Sequence, residues 1–204
     1  MLRIALVAGL SLVVLAAPAA AQNLSANRGF VLGAHLIGAG LDPEDGSGDS
    51  GGGLGIMAGW GFGDHLQLQL DGAALRMNPE DEAEDYTLGH GDLALRYAFL
   101  TPSHRWRPFV EGGASWFSVE WQNISFGEAG EVDLKISGPG IMVGGGVDLF
   151  VSPAVALEAG LRWAAGAFDE VEINNVTVKL EGTDRYDVRT SRLQFGAKYY
   201  FSGR

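Results

Sequence analysis

Histidine is the side chain best suited to general acid–base chemistry near neutral pH, and this sequence of 204 residues contains four of them. His90 and Asp92 are two residues apart, so on an extended strand they would share one face as a base and the acid that orients it. No serine is placed convincingly beside them, and two such residues often share a face by chance. The other histidines are His35, His65 and His104. We interpret all four as parts of a wall or a turn, and we predict no catalytic residue.

An acidic, glycine-rich segment over 42–53, DPEDGSGDSGGG, has the composition of a calcium-binding loop. It lacks the Asp-x-Asp-x-Asp-Gly spacing and the distal Glu of such a loop, so we predict no metal site there. The glycines at 51–53 and 144–146 are not followed by a predicted helix, as a phosphate-binding loop requires. We therefore predict no cofactor, and no basic, aromatic segment suggests a nucleic-acid partner.

The first residues have the pattern of a secretory signal peptide. Arg3 precedes an apolar run over 4–16, and an alanine-rich cleavage site follows at 19–21. The run is shorter than the roughly 20 residues of a membrane helix. We therefore predict a cleaved signal peptide over 1–21, export of the chain, and one mature domain over 22–204.

The rest of the sequence repeats segments in which large apolar side chains occupy every second position, a period that indicates strands. In the clearest segment, 154–166, Leu157, Leu161 and Trp163 share one face while Glu158 and Arg162 share the other. The eight segments are 28–39, 53–62, 65–76, 92–99, 107–121, 140–151, 154–166 and the one that contains Phe201. Short connections at 63–64, 101–105 and 152–153 alternate with long ones at 40–52, 77–86, 122–138 and 167–187. This alternation predicts an up-and-down meander with both ends at the short-turn side.

The two faces of these segments differ in a way that indicates lipid on the outside. One face is Leu, Val, Ile and Trp, and the other is mostly Gly, Ala, Gln, Ser and Met with a few charges. A soluble barrel, the alternative, would cover its second face with Lys and Glu. Small residues instead suit the narrow interior of an eight-stranded barrel. We therefore predict an all-β fold, an eight-stranded antiparallel up-and-down transmembrane β-barrel, closed because lipid cannot satisfy an open sheet edge.

Aromatic residues gather near both ends of these segments, as in the interfacial girdles of membrane barrels. The group at the short-turn end consists of Phe30, Trp60, Phe62, Tyr97, Phe99, Trp106, Tyr199 and Phe201. The group towards the long connections consists of Trp116 and Trp163.

The chain resembles the small outer-membrane β-barrel family that includes the OmpA barrel domain, OmpX and OmpW. Segment 107–117, RPFVEGGASWF, is similar to the strand that follows a periplasmic turn in this family. The closing residues Gln194, Gly196, Tyr199 and Phe201 resemble the C-terminal signal that such proteins present to their insertion machinery. The resemblance implies an integral outer-membrane protein in contact with outer-membrane lipid. During biogenesis it implies periplasmic chaperones and the barrel-insertion machinery as partners.

We also predict one layer of charges inside the barrel, at similar distances from the short-turn end. Its members are Arg96, Glu111, Asp148, Glu158 and Lys198. Asp148 is expected to face Glu158 across the ladder, where two carboxylates repel unless Lys198 or Arg96 lies between them. The layer would carry a net charge of −1 with all five ionised. Two interpretations stay open: mere filling with every charge paired, or, by resemblance to OmpA-like proteins, a salt-bridge plug that closes the barrel.

Three functions are compatible with this sequence. The first is a structural or surface-interaction barrel with a largely plugged lumen, and the second is a narrow channel that the inward glycines of the second and sixth strands would permit. The third is a lipid-modifying enzyme, but a lipid A deacylase of this fold would carry His-x-Ser with a nearby acid, and none of the four histidines fits.

The long connections carry net charges of −4, −5, −2 and −4, a total of −15 against −11 for the whole chain. Two interpretations of these loops stay open: a solvated rim whose charges repel one another, or loops that attract cationic ligands and that divalent cations bridge.

Overall fold

The strands of this protein form a single antiparallel sheet that closes on itself. The computed structural model describes residues 28–43, 48–79, 85–102, 105–125, 131–173, 176–179 and 186–201. The ten strands of this part are β1 (Arg28–Pro43), β2 (Asp49–Phe62), β3 (Leu66–Asn78), β4 (Tyr86–Ala98), β5 (Trp106–Ser125), β6 (Glu131–Phe150), β7 (Val155–Phe168), β8 (Glu170–Ile173), β9 (Val176–Lys179) and β10 (Tyr186–Tyr200).

Eight of these strands make the barrel, in the up-and-down order that the alternating connections predict. Neighbours in the chain pair from β1 to β7, and β10 pairs with both β7 and β1. Every barrel strand is thus hydrogen-bonded on both sides along the wall, which satisfies the backbone groups that lipid cannot. The predicted fold class, an all-β barrel of eight antiparallel strands, is confirmed. The predicted signal peptide over 1–21 lies outside the described residues and stays a prediction.

The strands extend further from the short-turn end than the sequence pattern indicates. The predicted connection at 122–138 is mostly strand, because β5 continues to Ser125 and β6 begins at Glu131. The predicted connection at 167–187 contains a short hairpin, in which β8 pairs with β6 and β9 pairs with β8. In these outer extensions the outward positions are mostly polar or small, so the pattern of outward apolar residues ends before the strands do.

The outward face of the barrel carries a continuous apolar band. Its leucine and isoleucine side chains are strongly exposed, as in Ile56 at 72% and Leu161 at 63%, which in water would be an aggregation hazard. On β5 the band is bounded by Trp106 and Trp116, ten residues apart. At about 3.3 Å per residue this spacing is roughly 33 Å along the strand, or about 25 Å of height for a strand tilted by about 40°. That height matches the apolar band of outer-membrane barrels. No helix in the described residues is long and apolar enough to cross a membrane.

The interior of the barrel is arranged in three layers along its axis. A small apolar cluster lies at the short-turn end and consists of Val31, Met57, Phe150, Ala156 and Tyr200. Polar and charged side chains fill the middle. A larger apolar cluster fills the outer part and includes Ile37, Leu41, Leu75, Met77, Leu88, Phe117, Val119, Met142, Phe168 and Val188. We call this last group the outer apolar layer. Above the Trp116 girdle the wall therefore has apolar residues inside and polar residues outside, the reverse of the band below.

The lipid-facing band predicts that a charge at Leu161 lowers the stability of the barrel. Leu161 projects outward near the middle of β7. We expect Leu161→Arg to destabilise the barrel by about 2–4 kcal/mol, because a guanidinium near the bilayer midplane loses its hydration. The measurement is the free energy of unfolding by denaturant in lipid vesicles.

The matched control for this prediction is Ala167→Arg on the same strand. Ala167 lies beyond the girdle and opposite Asp187, so the same guanidinium there should cost about 0–1 kcal/mol. Equal losses at the two positions would contradict the assignment of this wall to lipid.

Candidate functional site

The five charges predicted to share one layer contact one another inside the barrel. Arg96 donates to Glu111 through Nε and Nη2, at 2.9 and 2.7 Å from Oε2, and to Glu158 through Nη1 at 2.5 Å. The same Nη1 lies 3.6 Å from Asp148. Lys198 donates to Asp148 at 3.1 Å and forms an ion pair with Glu158. All five side chains are buried.

The strand register explains why this layer forms. Asp148 of β6 lies directly opposite Glu158 of β7, and Arg96 of β4 lies directly opposite Glu111 of β5. The two facing carboxylates are tolerated because Lys198 reaches both from β10 and Arg96 reaches both across the lumen. The ring of Phe109 lies below these cations, 3.5 Å from the Arg96 Cζ and 5.3 Å from the Lys198 Nζ. This cation–π contact adds to the pairing.

A second group of charges, which the sequence analysis did not assign to a layer, continues the network outward. Arg162 donates to Glu111 Oε1 at 2.6 Å, and its Nη1 lies 3.1 Å from Asp71 and 3.4 Å from Asp92. Arg192 lies 2.7 Å from the same oxygen of Asp92. Glu111 thus joins the two groups through its two oxygens. Asp92 and Arg162 lie four residues further from the short-turn end than Arg96 and Glu158 on the same strands, so the inward alternation of each strand also places them in the interior.

The buried charges of the barrel interior are balanced among the described residues. Among the described residues, the buried cations are Arg96, Arg107, Arg162, Arg192 and Lys198, and the buried anions are Asp71, Asp92, Glu111, Asp148 and Glu158. The net charge of −1 expected for five residues therefore becomes zero for the full set of ten. Neutral polar groups complete the hydrogen bonding: Gln69 donates to Glu111 and Gln194 to Glu158, both at 2.6 Å, and Ser115 donates to Asp92 at 2.5 Å. Pairing of this density offsets much of the cost of burying charge.

The three histidines among the described residues occupy positions in the wall and at a turn. His35 lies inside the barrel with Nε2 3.5 Å from Asp71, and His90 stands edge-on to the ring of Phe117 with 5.2 Å between centroids. His65 lies at a short turn, where its Nδ1 is 2.9 Å from the carbonyl oxygen of Ala98. Asp92, the possible orienter of His90, is engaged by Ser115, Arg162 and Arg192 instead. His104 lies outside the described residues.

No group of three or more His, Asp or Glu side chains in the described part of the chain could hold a metal ion. The acidic segment 42–53 is only partly described, because residues 44–47 lie outside the described ranges.

The four residues that resemble an insertion signal divide between the two faces of the barrel. Tyr199 and Phe201 project outward in an edge-to-face contact with 4.9 Å between ring centroids, while Gln194 and Gly196 project inward. Gln194 has a second role that the sequence did not reveal, since it binds Glu158. The role of the four residues as a signal stays a prediction.

Inward glycines make room for large neighbouring side chains. The ring of His35 lies over Gly55 of β2, where a Cβ would overlap it, and a Cβ at Gly196 of β10 would overlap the Cβ of His35. The ring of Phe117 lies over Gly140 and Gly166 in the same way. The glycines of β2 and β6, which in the sequence suggested space for a channel, therefore face occupied volume at these positions.

Gly196 provides a test of this packing. We expect Gly196→Ala to lower the free energy of unfolding by about 1–3 kcal/mol, because the added methyl would meet His35 and the Ala34 carbonyl oxygen. Gly38→Ala is the matched control: its new methyl would point outward, with no atom within 4 Å. Denaturant unfolding of both variants in the same detergent gives the comparison, and equal stability of the two would contradict the tight packing of His35.

Comparison with known proteins agrees with this architecture. The sequence model of the family described as "Outer membrane protein beta-barrel domain" matches residues 7–201. The solved structure of Neisserial surface protein A (NspA) superimposes with a TM-score of 0.64 at 22% identity, covering 84% of this chain and 97% of that one. Ail, the attachment invasion locus protein of Yersinia pestis, gives 0.55 at 15% identity, with 85% and 99% covered. OprG from Pseudomonas aeruginosa gives 0.54 at 12% identity, with 88% and 99% covered. At these identities the likenesses establish the fold alone. No curated protein sequence matches the chain significantly.

Proposed function

Because the chain belongs to the outer membrane protein β-barrel family and is an integral outer-membrane protein, we propose that it is a non-catalytic barrel with a closed lumen and a surface-interaction role. In this proposal the wall anchors the protein in lipid, and the outer ends of the strands and their acidic loops face the medium. The observation that carries it is the filled interior, in which a paired charge network lies between two apolar layers.

The charge network supports a closed lumen because every ion that crosses the barrel would have to replace protein partners. Arg96 has three carboxylates within ion-pair distance, and Arg162 also has three, of which Glu111 is shared with Arg96. The outer apolar layer adds a second obstacle, since a dry constriction excludes hydrated ions. In this proposal two successive layers close the lumen, the charge network and the outer apolar layer, rather than salt bridges alone.

The geometry of the histidines supports a non-catalytic role. The ring nitrogens of His90 have no hydrogen-bond partner among the described residues, so no nucleophile is positioned beside it in that part of the chain. A base must lie within hydrogen-bond reach of the proton that it removes.

The acidic outer end is the part of the proposal that concerns ligands. At its base, Asp49 accepts a hydrogen bond from Tyr86 at 2.6 Å, and Asp85 accepts two from Arg76 at 3.0 and 2.8 Å. The excess of negative charge in the long connections favours cationic ligands, including divalent cations, over anionic polymers.

The test of the closed lumen is conductance in a planar bilayer. We expect the wild-type protein to give at most small, intermittent currents, because paired charges and the outer apolar layer occupy the interior. Insertion is verified on the same preparation by a different electrophoretic mobility before and after boiling. Boiled protein serves as the negative control. A steady, large conductance would overturn the closed lumen and favour the alternative, a narrow channel for small solutes.

A further inference from the structure

Three buried polar side chains at the boundary between the charge network and the outer apolar layer have donors that the protein does not use. Arg192, Thr190 and His90 are 1%, 1% and 5% exposed. The Nε and Nη2 atoms of Arg192, the hydroxyl of Thr190 and both ring nitrogens of His90 have no hydrogen-bond partner among the described residues. Folded proteins rarely bury several such groups together without a partner, because each loses its hydration. These groups therefore indicate a binding site.

The guanidinium of Arg192 is only partly engaged by the protein. Its Nη1 lies 2.7 Å from Asp92. Its Nε and Nη2 form the side-on edge of the guanidinium, a pair of parallel N–H donors that suits an anion. In Arg96 the same two atoms donate to Glu111. No carboxylate of the described residues takes that place at Arg192, so its side-on edge is available to an anion from outside the chain.

The strand directions bring the other two side chains to the outer side of Arg192. β4 and β10 both run from the outer end of the barrel to the short-turn end, and Arg192 of β10 reaches Asp92 of β4 across the lumen. His90 and Thr190 are each two residues further out on these strands, a step of about 6.6 Å. All three side chains are inward, so their donors lie at adjacent levels of the lumen.

The wall at these levels leaves room for a small ligand. Each of the three side chains has an alanine directly opposite it on an adjacent strand, and these alanines are Ala39, Ala73 and Ala164. On the other side of His90 stands Phe117 of the outer apolar layer, with 5.2 Å between the ring centroids. The site is therefore narrow and lies beneath the outer apolar layer.

We propose that Arg192, Thr190 and His90 bind a small monovalent anion, of the size of chloride, inside the barrel. The side-on edge of Arg192 supplies two donors and a positive charge. The Thr190 hydroxyl supplies a third donor, and the single N–H of a neutral His90 ring supplies a fourth. The anion is held rather than conducted, because the charge network fills the lumen on its short-turn side. This site is independent of the proposed surface role.

The charge balance of the interior selects a monovalent ion. Five buried cations accompany five buried anions among the described residues, so one bound anion gives the interior a net charge of −1. A divalent anion such as sulfate would give −2 in a medium of low dielectric constant, which costs more free energy. An ordered water molecule is the neutral alternative, because it also accepts hydrogen bonds from buried donors.

The test uses the mature protein in lipid nanodiscs, with chloride as the probe. Sodium chloride replaces sodium gluconate at constant ionic strength, because gluconate is too large for the site. The NMR signal of the Arg192 Nε–H group, identified by its absence from the spectrum of Arg192→Lys, reports binding. We expect this signal to shift and to saturate at millimolar chloride. Bromide should give a similar saturable shift, and sulfate should give none. Each point is measured after the signal is constant, because the outer apolar layer slows entry.

Three variants test the site itself. Thr190→Val keeps the shape of the side chain but removes the hydroxyl, and it should weaken chloride binding by about tenfold, since a hydrogen bond to a charged group is lost. Thr190→Ser keeps the hydroxyl and should bind within about twofold of the wild type. Thr87→Val makes the same change at an exposed position on β4 and should leave the affinity unchanged. Unchanged heat-dependent mobility verifies that each variant forms the barrel.

The inference is overturned if the Arg192 signal does not respond to chloride or responds without saturation, a result that assigns ordered water to these donors. Equal affinities of Thr190→Val and Thr190→Ser, or equal shifts with sulfate and chloride, overturn it as well. Conductance measured on the same preparations tests the proposed function separately. A steady current together with a saturable chloride signal would contradict the closed lumen alone.

Discussion

Replacing Arg96 by methionine should lower the free energy of unfolding by about 3–5 kcal/mol, the loss expected when one partner of a buried ion pair is removed. Methionine keeps most of the side-chain volume, so the effect reports charge rather than a cavity. The substitution leaves Glu111, Asp148 and Glu158 without the guanidinium that lies within 3.6 Å of each of them. Denaturant unfolding in vesicles or detergent measures the difference.

The matched control for Arg96 is Arg76→Met. Arg76 also donates two hydrogen bonds to a carboxylate, that of Asp85, but the two side chains are 77% and 42% exposed. An exposed pair contributes about 0–1 kcal/mol, so this variant should be nearly as stable as the wild type.

A double variant makes the test of Arg96 stricter. Adding Glu158→Gln to Arg96→Met should restore part of the lost stability, because one uncompensated charge disappears from the interior. Strict additivity of the two losses would contradict a coupled network.

The second large effect is expected for Phe117→Ala, which should cost about 3–5 kcal/mol. Phe117 is fully buried in the outer apolar layer, and its ring fills the space over Gly140 and Gly166. Neither glycine has a side chain that could move into the void, so the cavity would stay open and the loss would be near the upper end of the range.

Phe117→Leu is the control for this prediction, because it retains much of the volume and should cost less than about 1.5 kcal/mol. The same two variants also probe closure. If the outer apolar layer contributes to the barrier, Phe117→Ala should increase the frequency of current bursts in a planar bilayer, whereas Phe117→Leu should not. A loss below about 1 kcal/mol for Phe117→Ala would contradict close packing of the outer apolar layer.

The barrel itself could be predicted from sequence because its lower part uses one repeated rule. Along β7, Leu157, Leu161 and Trp163 face lipid while Glu158 and Arg162 face inward, and this alternation needs no knowledge of any other strand. The position of the five-residue charge layer followed from the same rule combined with distance from the short turns. Both inferences depend on local spacing, which the sequence shows directly.

The outer extensions were not predicted because the rule changes there. Leu75 and Met77 of β3 are inward and buried, while Arg76 between them is outward and exposed. The outer end of β3 lacks outward apolar residues, so a pattern of such residues predicts a loop there. The four-residue strand β9 is too short for its period to stand out from chance.

The second group of charges was missed for a different reason, which is three-dimensional. Arg162 contacts Asp71 of β3 and Asp92 of β4, strands that are not neighbours of β7 in the sheet. Their meeting depends on the diameter of the lumen and on the length of the arginine side chain. No spacing within a strand contains that information.

The polarity of the inward and outward positions reverses at the girdle, and this reversal penalises a shift in strand register on both sides of the girdle. Below Trp116 the odd positions of β3 are polar and its even positions face lipid, and above the girdle its odd positions form a core while Arg76 and Asn78 face water. A one-residue slip of this strand would therefore drive Gln67, Gln69 and Asp71 into hydrocarbon and expose Leu75 and Met77 to water. The two solvents penalise the same error at opposite ends of one strand. A mispaired barrel cannot relieve either cost by sliding towards or away from the cell.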